Sequence, residues 1–147
     1  MRFALSRVRM KKQMLVASLC LILGLAVAPA YAQADGLRAK VPFNFVAFGK
    51  TFPAGEYIMI ARSHQVSIRD AQGRMIGTVL ADEISGRSAG ANAEIVFHCY
   101  REHCFLAEVW SPTQENGKQL PVSRTEAGLA KEETRKDLAV LGEKPAK

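Results

Sequence analysis

The chain has 147 residues, 48% of them hydrophobic and 23% charged, which is enough for one domain with its own apolar core. Its formal net charge of +6 comes mainly from the first 32 residues, because five of the 20 Lys and Arg residues and none of the 14 acidic residues lie there. Residues 33–147 are therefore nearly neutral, and they lack the basic excess with which proteins bind nucleic acids through phosphate contacts.

Residues 1–32 have the three parts of a secretory signal peptide. A basic segment over residues 2–12 contains no acidic residue, an apolar run follows over residues 14–28, and Ala30-Tyr31-Ala32 is a small-x-small cleavage sequence. We expect cleavage after Ala32 and a periplasmic or secreted location for the remainder. The apolar run is shorter than the ~20 residues of a membrane-spanning helix, so no stable membrane insertion is expected after cleavage.

Residues 33–122 are predicted to form an antiparallel β domain, because short apolar runs alternate with turn signals. After a polar lead-in over residues 33–40, the side chains of Val41, Phe43 and Phe45 alternate onto one face of a strand. Further strands are expected over residues 57–61, 66–69, 74–80 and 95–110. About six or seven such strands favour a small antiparallel β-sandwich or a partly open barrel over βαβ units.

Two β-branched and aromatic segments within residues 95–110 flank the charged dipeptide Arg101-Glu102, which predicts a hairpin with a two-residue loop. In that register Cys99 and Cys104 are cross-strand partners, with Cα atoms ~4.5 Å apart. Since an exported protein meets an oxidising compartment, we expect a disulfide between them. A reducible redox bridge and free thiols are the alternatives, and the C-x₄-C spacing matches neither the thioredoxin motif nor the haem-attachment motif.

The end of the chain is predicted to be helical. Residues 111–120 form a polar loop, and Ser123-Arg-Thr-Glu126 then matches a capping box. We expect a helix over residues 123–142 that packs on the sheet, followed by a disordered tail over residues 143–147. The thin apolar stripe of this helix consists of Ala127, Ala130, Thr134, Leu138 and Leu141.

Residues 98–104 contain two histidines and two cysteines, the side chains that bind Zn²⁺ in structural sites. Because successive side chains of a strand point to opposite faces, Cys99 and Cys104 share one face while His98 and His103 share the other. One tetrahedral ion cannot reach all four side chains, so we expect no metal ligands. No cofactor-binding motif is recognised elsewhere in the chain.

Residues 86–90 match G-x-S-x-G, the nucleophile elbow of α/β-hydrolases, with Ser88 as the nucleophile. The elbow requires a strand before it and a helix directly after it, whereas another strand is predicted to follow here. A triad could be completed only by Glu94 or Glu102 together with one of the two hairpin histidines. We interpret the match as chance and expect no catalytic residues.

Five short motifs, taken together, resemble a group of secreted bacterial proteins of unassigned function. They lie at residues 41–45 (VPFxF), 53–57 (PAGxY), 97–100 (FHxY), 105–110 (FLxxxW) and 120–124 (LPxSR). The resemblance covers residues 40–131 and implies a secreted small β domain without an assigned mechanism. The cysteine pair is not part of this pattern.

These observations predict an exported, non-enzymatic β-domain protein that acts by binding or structure in the cell envelope or outside it. Its partner is expected to be an envelope protein or a small ligand. The alternative is a small barrel that carries an apolar small molecule. The two hypotheses differ in the sheet interior, which is packed with side chains in the first and hollow in the second.

Overall fold

The computed structural model of the chain describes residues 36–87, 92–112 and 114–144. Three features lie outside this part of the chain: the predicted signal peptide with its cleavage site after Ala32, Ser88 of the G-x-S-x-G match, and the last three residues. Eleven strands and one helix lie within it. In chain order they are β1 (Gly36–Val41), β2 (Phe45–Ala47), β3 (Lys50–Phe52), β4 (Gly55–Arg62), β5 (Gln65–Asp70), β6 (Met75–Leu80), β7 (Asp82–Ile84), β8 (Glu94–Tyr100), β9 (His103–Trp110), β10 (Gly117–Gln119), α1 (Arg124–Glu132) and β11 (Lys136–Leu141).

The strands form two sheets that do not close into a barrel. One sheet has the order β1-β4-β5-β6, and the other has the order β11-β8-β9-β10-β7, with β2 beside β9 and β3 beside β2. The strand pairs are antiparallel except β2 and β9, which are parallel. The predicted mainly β fold, a small sandwich with one helix towards the C-terminus, is therefore confirmed.

Aromatic and aliphatic side chains fill the space between the two sheets. The fully buried ring of Phe45 has its centroid 5.1 Å from that of Tyr57 and 5.3 Å from that of Phe97. Each such ring pair adds about 0.5–1.5 kcal/mol to the stabilisation from area burial. The other large, fully buried side chains are Val41, Met59, Val66, Ile68, Ile95 and Val109. The interior is therefore packed rather than hollow.

The first strand begins earlier than predicted. β1 replaces the expected polar lead-in, because Leu37 and Ala39 occupy alternate positions and are both buried in the core. The predicted strand over residues 41–45 is broken at Pro42, which has no N–H to donate to a ladder. The chain crosses there from the four-stranded sheet to the other sheet, yet the apolar side chains at both ends of this segment reach the core, as predicted.

The predicted helix over residues 123–142 is wrong beyond Glu132, where α1 ends. Glu133 has an extended backbone, and the chain then forms β11, which pairs antiparallel with β8 along its whole length. A strand fits here because β8 would otherwise present unpaired N–H and C=O groups at the sheet edge. Val140 on β11 also packs against the core.

The predicted disordered tail is also wrong at its start. Glu143 and Arg38 exchange two backbone hydrogen bonds of 2.7 and 2.8 Å, which join the end of the chain to β1. Gly142 donates its N–H to the carbonyl of Ala93. Residues 142–143 therefore continue the ordered structure beyond β11.

α1 packs through side chains other than the predicted stripe. Ala127 and Ala130 are exposed, whereas Glu126 is buried and Leu129 is half-buried. These two positions are three residues apart and share one side of the helix. α1 is also short: no helix in the described part of the chain is long and apolar enough to cross a membrane.

The segment predicted as a polar loop, residues 111–120, contains the strand β10. Its Lys118 is 3% exposed, and Nζ lies 2.7 Å from Oε2 of Glu83 on β7. The preceding residue must be small, because a Cβ on Gly117 would lie 2.6 Å from the Trp110 ring. The strand was not predicted because its composition is polar and the residue that pairs with its buried charge lies 35 positions away in the sequence.

Candidate functional site

The hairpin of β8 and β9 has the predicted register, with Cys99 opposite Cys104 across the ladder. The two Sγ atoms are 2.07 Å apart, which is bonding distance, and the Cα atoms are 4.0 Å apart. Both side chains belong to the buried core between the sheets. Closing so short a loop stabilises the fold by about 2 kcal/mol in the chain-entropy account.

The histidines lie on the other face of this hairpin, as predicted. His98 is opposite Phe105 in the register, on the face away from the cysteines, and His103 is exposed at the end of β9. The cysteines therefore face the core while His98 faces α1. Among the described residues, no three His, Cys, Asp or Glu side chains are arranged to hold a metal ion.

The two acids considered for a catalytic triad are not the partners of His98. Glu94 forms an ion pair with Arg87, and Glu102 is exposed in the hairpin loop. His98 is hydrogen-bonded to Glu126 instead. Ser88, the serine of the G-x-S-x-G match that was interpreted as chance, lies outside the described residues.

His98 and Glu126 form a buried polar pair between the seven-stranded sheet and α1. Nδ1 of His98 lies 2.9 Å from Oε1 of Glu126, and the two side chains are 8% and 5% exposed. The neutral imidazole donates Nδ1–H to the carboxylate, and the protonated form makes a salt bridge with it. In a site of low dielectric this bond is stronger than in water, and an unpaired partner is correspondingly costly.

Glu126 reaches the histidine because α1 begins at a cap. The Oγ of Ser123 accepts a hydrogen bond of 3.1 Å from the N–H of Glu126, as the capping box predicts. In a complete box the glutamate would bond back to the N–H of the cap residue, but here its Oε1 bonds to His98. This pairing was missed from the sequence, because it joins two elements 28 positions apart. The one local signal is a histidine within an otherwise apolar strand.

Tyr100 lies on the same face of β8 as His98 and is 3% exposed. Burial raises the pKa of its phenol, and the negative charge of Glu126 raises it further. Its ring centroid is 6.1 Å from that of Phe105. The face beneath α1 is therefore poorly solvated, and charges there interact strongly.

A cavity of about 210 Å³ adjoins the His98–Glu126 pair. It lies beside β9, in the gap between β2, which pairs with residues 104–105, and β10, which pairs with residues 108–109. We call it the β2–β10 cavity. Its walls are mainly apolar and include Val46, Ala47, Phe48, Val79, Leu106 and Leu120, while Ser123 and Glu126 supply polar groups.

The size of this cavity limits what it can hold. Its volume of about 210 Å³ is below the roughly 300–1,000 Å³ of sites for drug-sized ligands. It corresponds to about seven groups the size of a water molecule. A single short aliphatic chain fits within this space, whereas a long fatty-acid chain or a fused ring system would extend beyond it.

A second cavity, of about 380 Å³, lies at the loop end of the hairpin. Its lining includes Arg101, Lys136, Glu132 and Glu133. Arg101 Nε lies 3.5 Å from Oε1 of Glu133. Two basic and two acidic side chains balance each other here, so the charge of this cavity favours neither a cation nor an anion.

No family model matches the chain, and no curated protein or solved structure shows significant similarity to it. The candidate site is therefore defined by its own residues alone. These are the buried His98–Glu126 pair and the β2–β10 cavity beside it.

Proposed function

We propose that the chain is an exported, non-enzymatic β-sandwich protein that acts by binding in the cell envelope or outside the cell. The observation that carries this proposal is the cysteine pair. Cys99 and Cys104 are the two cysteines that follow the predicted leader, and they lie at bonding distance in the core. Such a pair is oxidised in exported compartments and is generally reduced in the cytosol.

A binding role is supported by the surroundings of His98. Its Nδ1 engages the buried carboxylate of Glu126, which lines the β2–β10 cavity. The neighbouring cavity combines apolar walls with a carboxylate, which is a common arrangement of binding sites.

Cell fractionation after expression of the full chain tests export. The proposal expects the protein in the periplasm or the medium, with Gln33 as its first residue. A matched control is Leu23→Arg, which places a charge in the apolar run of the leader and should retain the chain in the cytoplasm. Cytoplasmic accumulation of the unaltered chain with its leader attached would contradict the proposal.

The second candidate is a carrier of an apolar small molecule, and the observation that favours it is the β2–β10 cavity. Since side chains occupy the space between the sheets, such cargo would have to fit about 210 Å³. Native mass spectrometry of the exported protein separates the candidates. A co-purifying apolar molecule supports the carrier, and the bare protein mass supports an interaction domain.

A further inference from the structure

We infer that the β2–β10 cavity binds a short-chain primary amine, with the ammonium group at Glu126 and the aliphatic chain against the apolar walls. This inference rests on the proposed binding function and names its ligand class. Glu126 lines the cavity although its side chain is 5% exposed. Its Oε1 bonds to His98, and Oε2 makes no hydrogen bond with another described residue. A carboxylate accepts up to about four hydrogen bonds, so the site has acceptor capacity left.

Among the described residues that line the cavity, the charged side chain is that of Glu126, so the charge of the lining favours a cation. No lysine or arginine of the described residues forms an ion pair with Glu126. The nearly buried Lys118 is paired with Glu83, and Arg87 is paired with Glu94. A ligand ammonium group would supply both a positive charge and donors, and such charge-assisted hydrogen bonds are about twice as strong as neutral ones. A ligand carboxylate would instead be repelled.

The walls of the cavity define the rest of the ligand. Ala47, Leu106 and Leu120 are each less than 8% exposed and present apolar surface next to the carboxylate. The volume of about 210 Å³ accommodates n-butylammonium within the cavity, whereas a bulky aromatic amine would extend out of it. Burial of the alkyl chain and pairing of the ammonium group thus act together, and neither a neutral alcohol nor a fatty acid satisfies both.

Calorimetric titration of the purified full chain tests this inference with n-butylammonium, n-butanol and n-butyrate at equal ionic strength. We expect saturable binding of n-butylammonium with a Kd on the order of 1 mM, given the size of the ligand. Binding of n-butanol should be at least about tenfold weaker, because its hydrogen bond carries no charge assistance. We expect n-butyrate not to bind.

Variants locate the site. Glu126→Gln keeps a carbonyl oxygen for His98 and should weaken n-butylammonium binding at least about tenfold. Glu132→Gln makes the same change in net charge at an exposed position of α1, and it should bind like the unaltered chain. Val46→Phe, at a half-buried wall position, should abolish binding by filling the cavity. Circular dichroism checks that each variant is folded.

Three results would overturn the inference: no saturable n-butylammonium binding, equal binding of n-butanol, or binding retained in a folded Glu126→Gln or Val46→Phe variant. If Glu126→Gln fails to fold, Val46→Phe still decides where the ligand sits. Cell fractionation measures export independently of ligand binding. If the protein is exported but does not bind n-butylammonium, the ligand class is refuted while the proposed function is not.

Discussion

The stability of the protein should depend on the His98–Glu126 pair as a unit. Glu126→Leu keeps a side chain of similar size but leaves Nδ1 of His98 without the acceptor that lies 2.9 Å away. Because the imidazole is only 8% exposed, water does not readily replace that bond. We expect this variant to lower the free energy of unfolding by about 1–3 kcal/mol, the cost of a buried unsatisfied group.

The reverse change, His98→Phe, leaves the Glu126 carboxylate buried without its partner and should cost at least as much. The double variant removes both polar groups together. Since two apolar side chains can replace a buried polar pair at little cost, the double variant should be more stable than the sum of the single effects predicts. The expected coupling free energy is about 1–3 kcal/mol.

Urea denaturation followed by circular dichroism gives each free energy of unfolding by linear extrapolation. Glu132→Leu, at an exposed position of the same helix, controls for the loss of an acidic residue and should stay within about 0.5 kcal/mol of the unaltered chain. Additive effects of Glu126→Leu and His98→Phe would refute the reasoning, because they would mean that the two side chains do not stabilise each other.

Three further changes test other parts of the fold. Cys104→Ser should lower the free energy of unfolding by about 2 kcal/mol, and reductant should destabilise the unaltered chain by a similar amount in the same urea assay. Gly117→Ala should cost about 1–3 kcal/mol, because the added Cβ would lie 2.6 Å from the buried Trp110 ring; an unchanged melting temperature would contradict this. The hydrogen bond and the charge of Lys118 lower the pKa of Glu83 in the folded chain. The pair therefore stabilises the fold at pH values above the pKa that Glu83 has in the unfolded chain. This stabilisation is lost as the pH falls through the lower pKa of the folded state. Glu83→Gln should therefore flatten the acid side of the melting temperature measured against pH, and an equally steep acid side would count against the pair.

The sequence predicts features that depend on neighbours in the chain. The hairpin of β8 and β9 is an example, since alternating apolar residues and a two-residue loop place Cys99 opposite Cys104 without reference to other elements. The cap of α1 at Ser123 is another, because it joins residues three positions apart. Alternation also identifies buried side chains such as Val41 and Phe45, but it leaves open whether the interior is packed or hollow, which depends on how the two sheets meet.

The sequence does not predict features that depend on residues far apart in the chain. Residues 136–141 have apolar side chains at spacings that fit a helix, and only the edge of β8 selects a strand there. Lys118 looks like a loop residue until Glu83 on another strand pairs with its charge. Likewise Glu126 satisfies the capping pattern, and its bond to His98 exists only because α1 packs on that sheet.

The mass of the intact protein recovered after expression with its leader tests the central claim most directly. An exported, disulfide-bonded domain should begin at Gln33, weigh two hydrogen atoms less than the reduced chain, and take up no alkylating reagent before reduction. Recovery of the chain with residues 1–32 attached, or with Cys99 and Cys104 both open to alkylation in the native protein, would contradict the account.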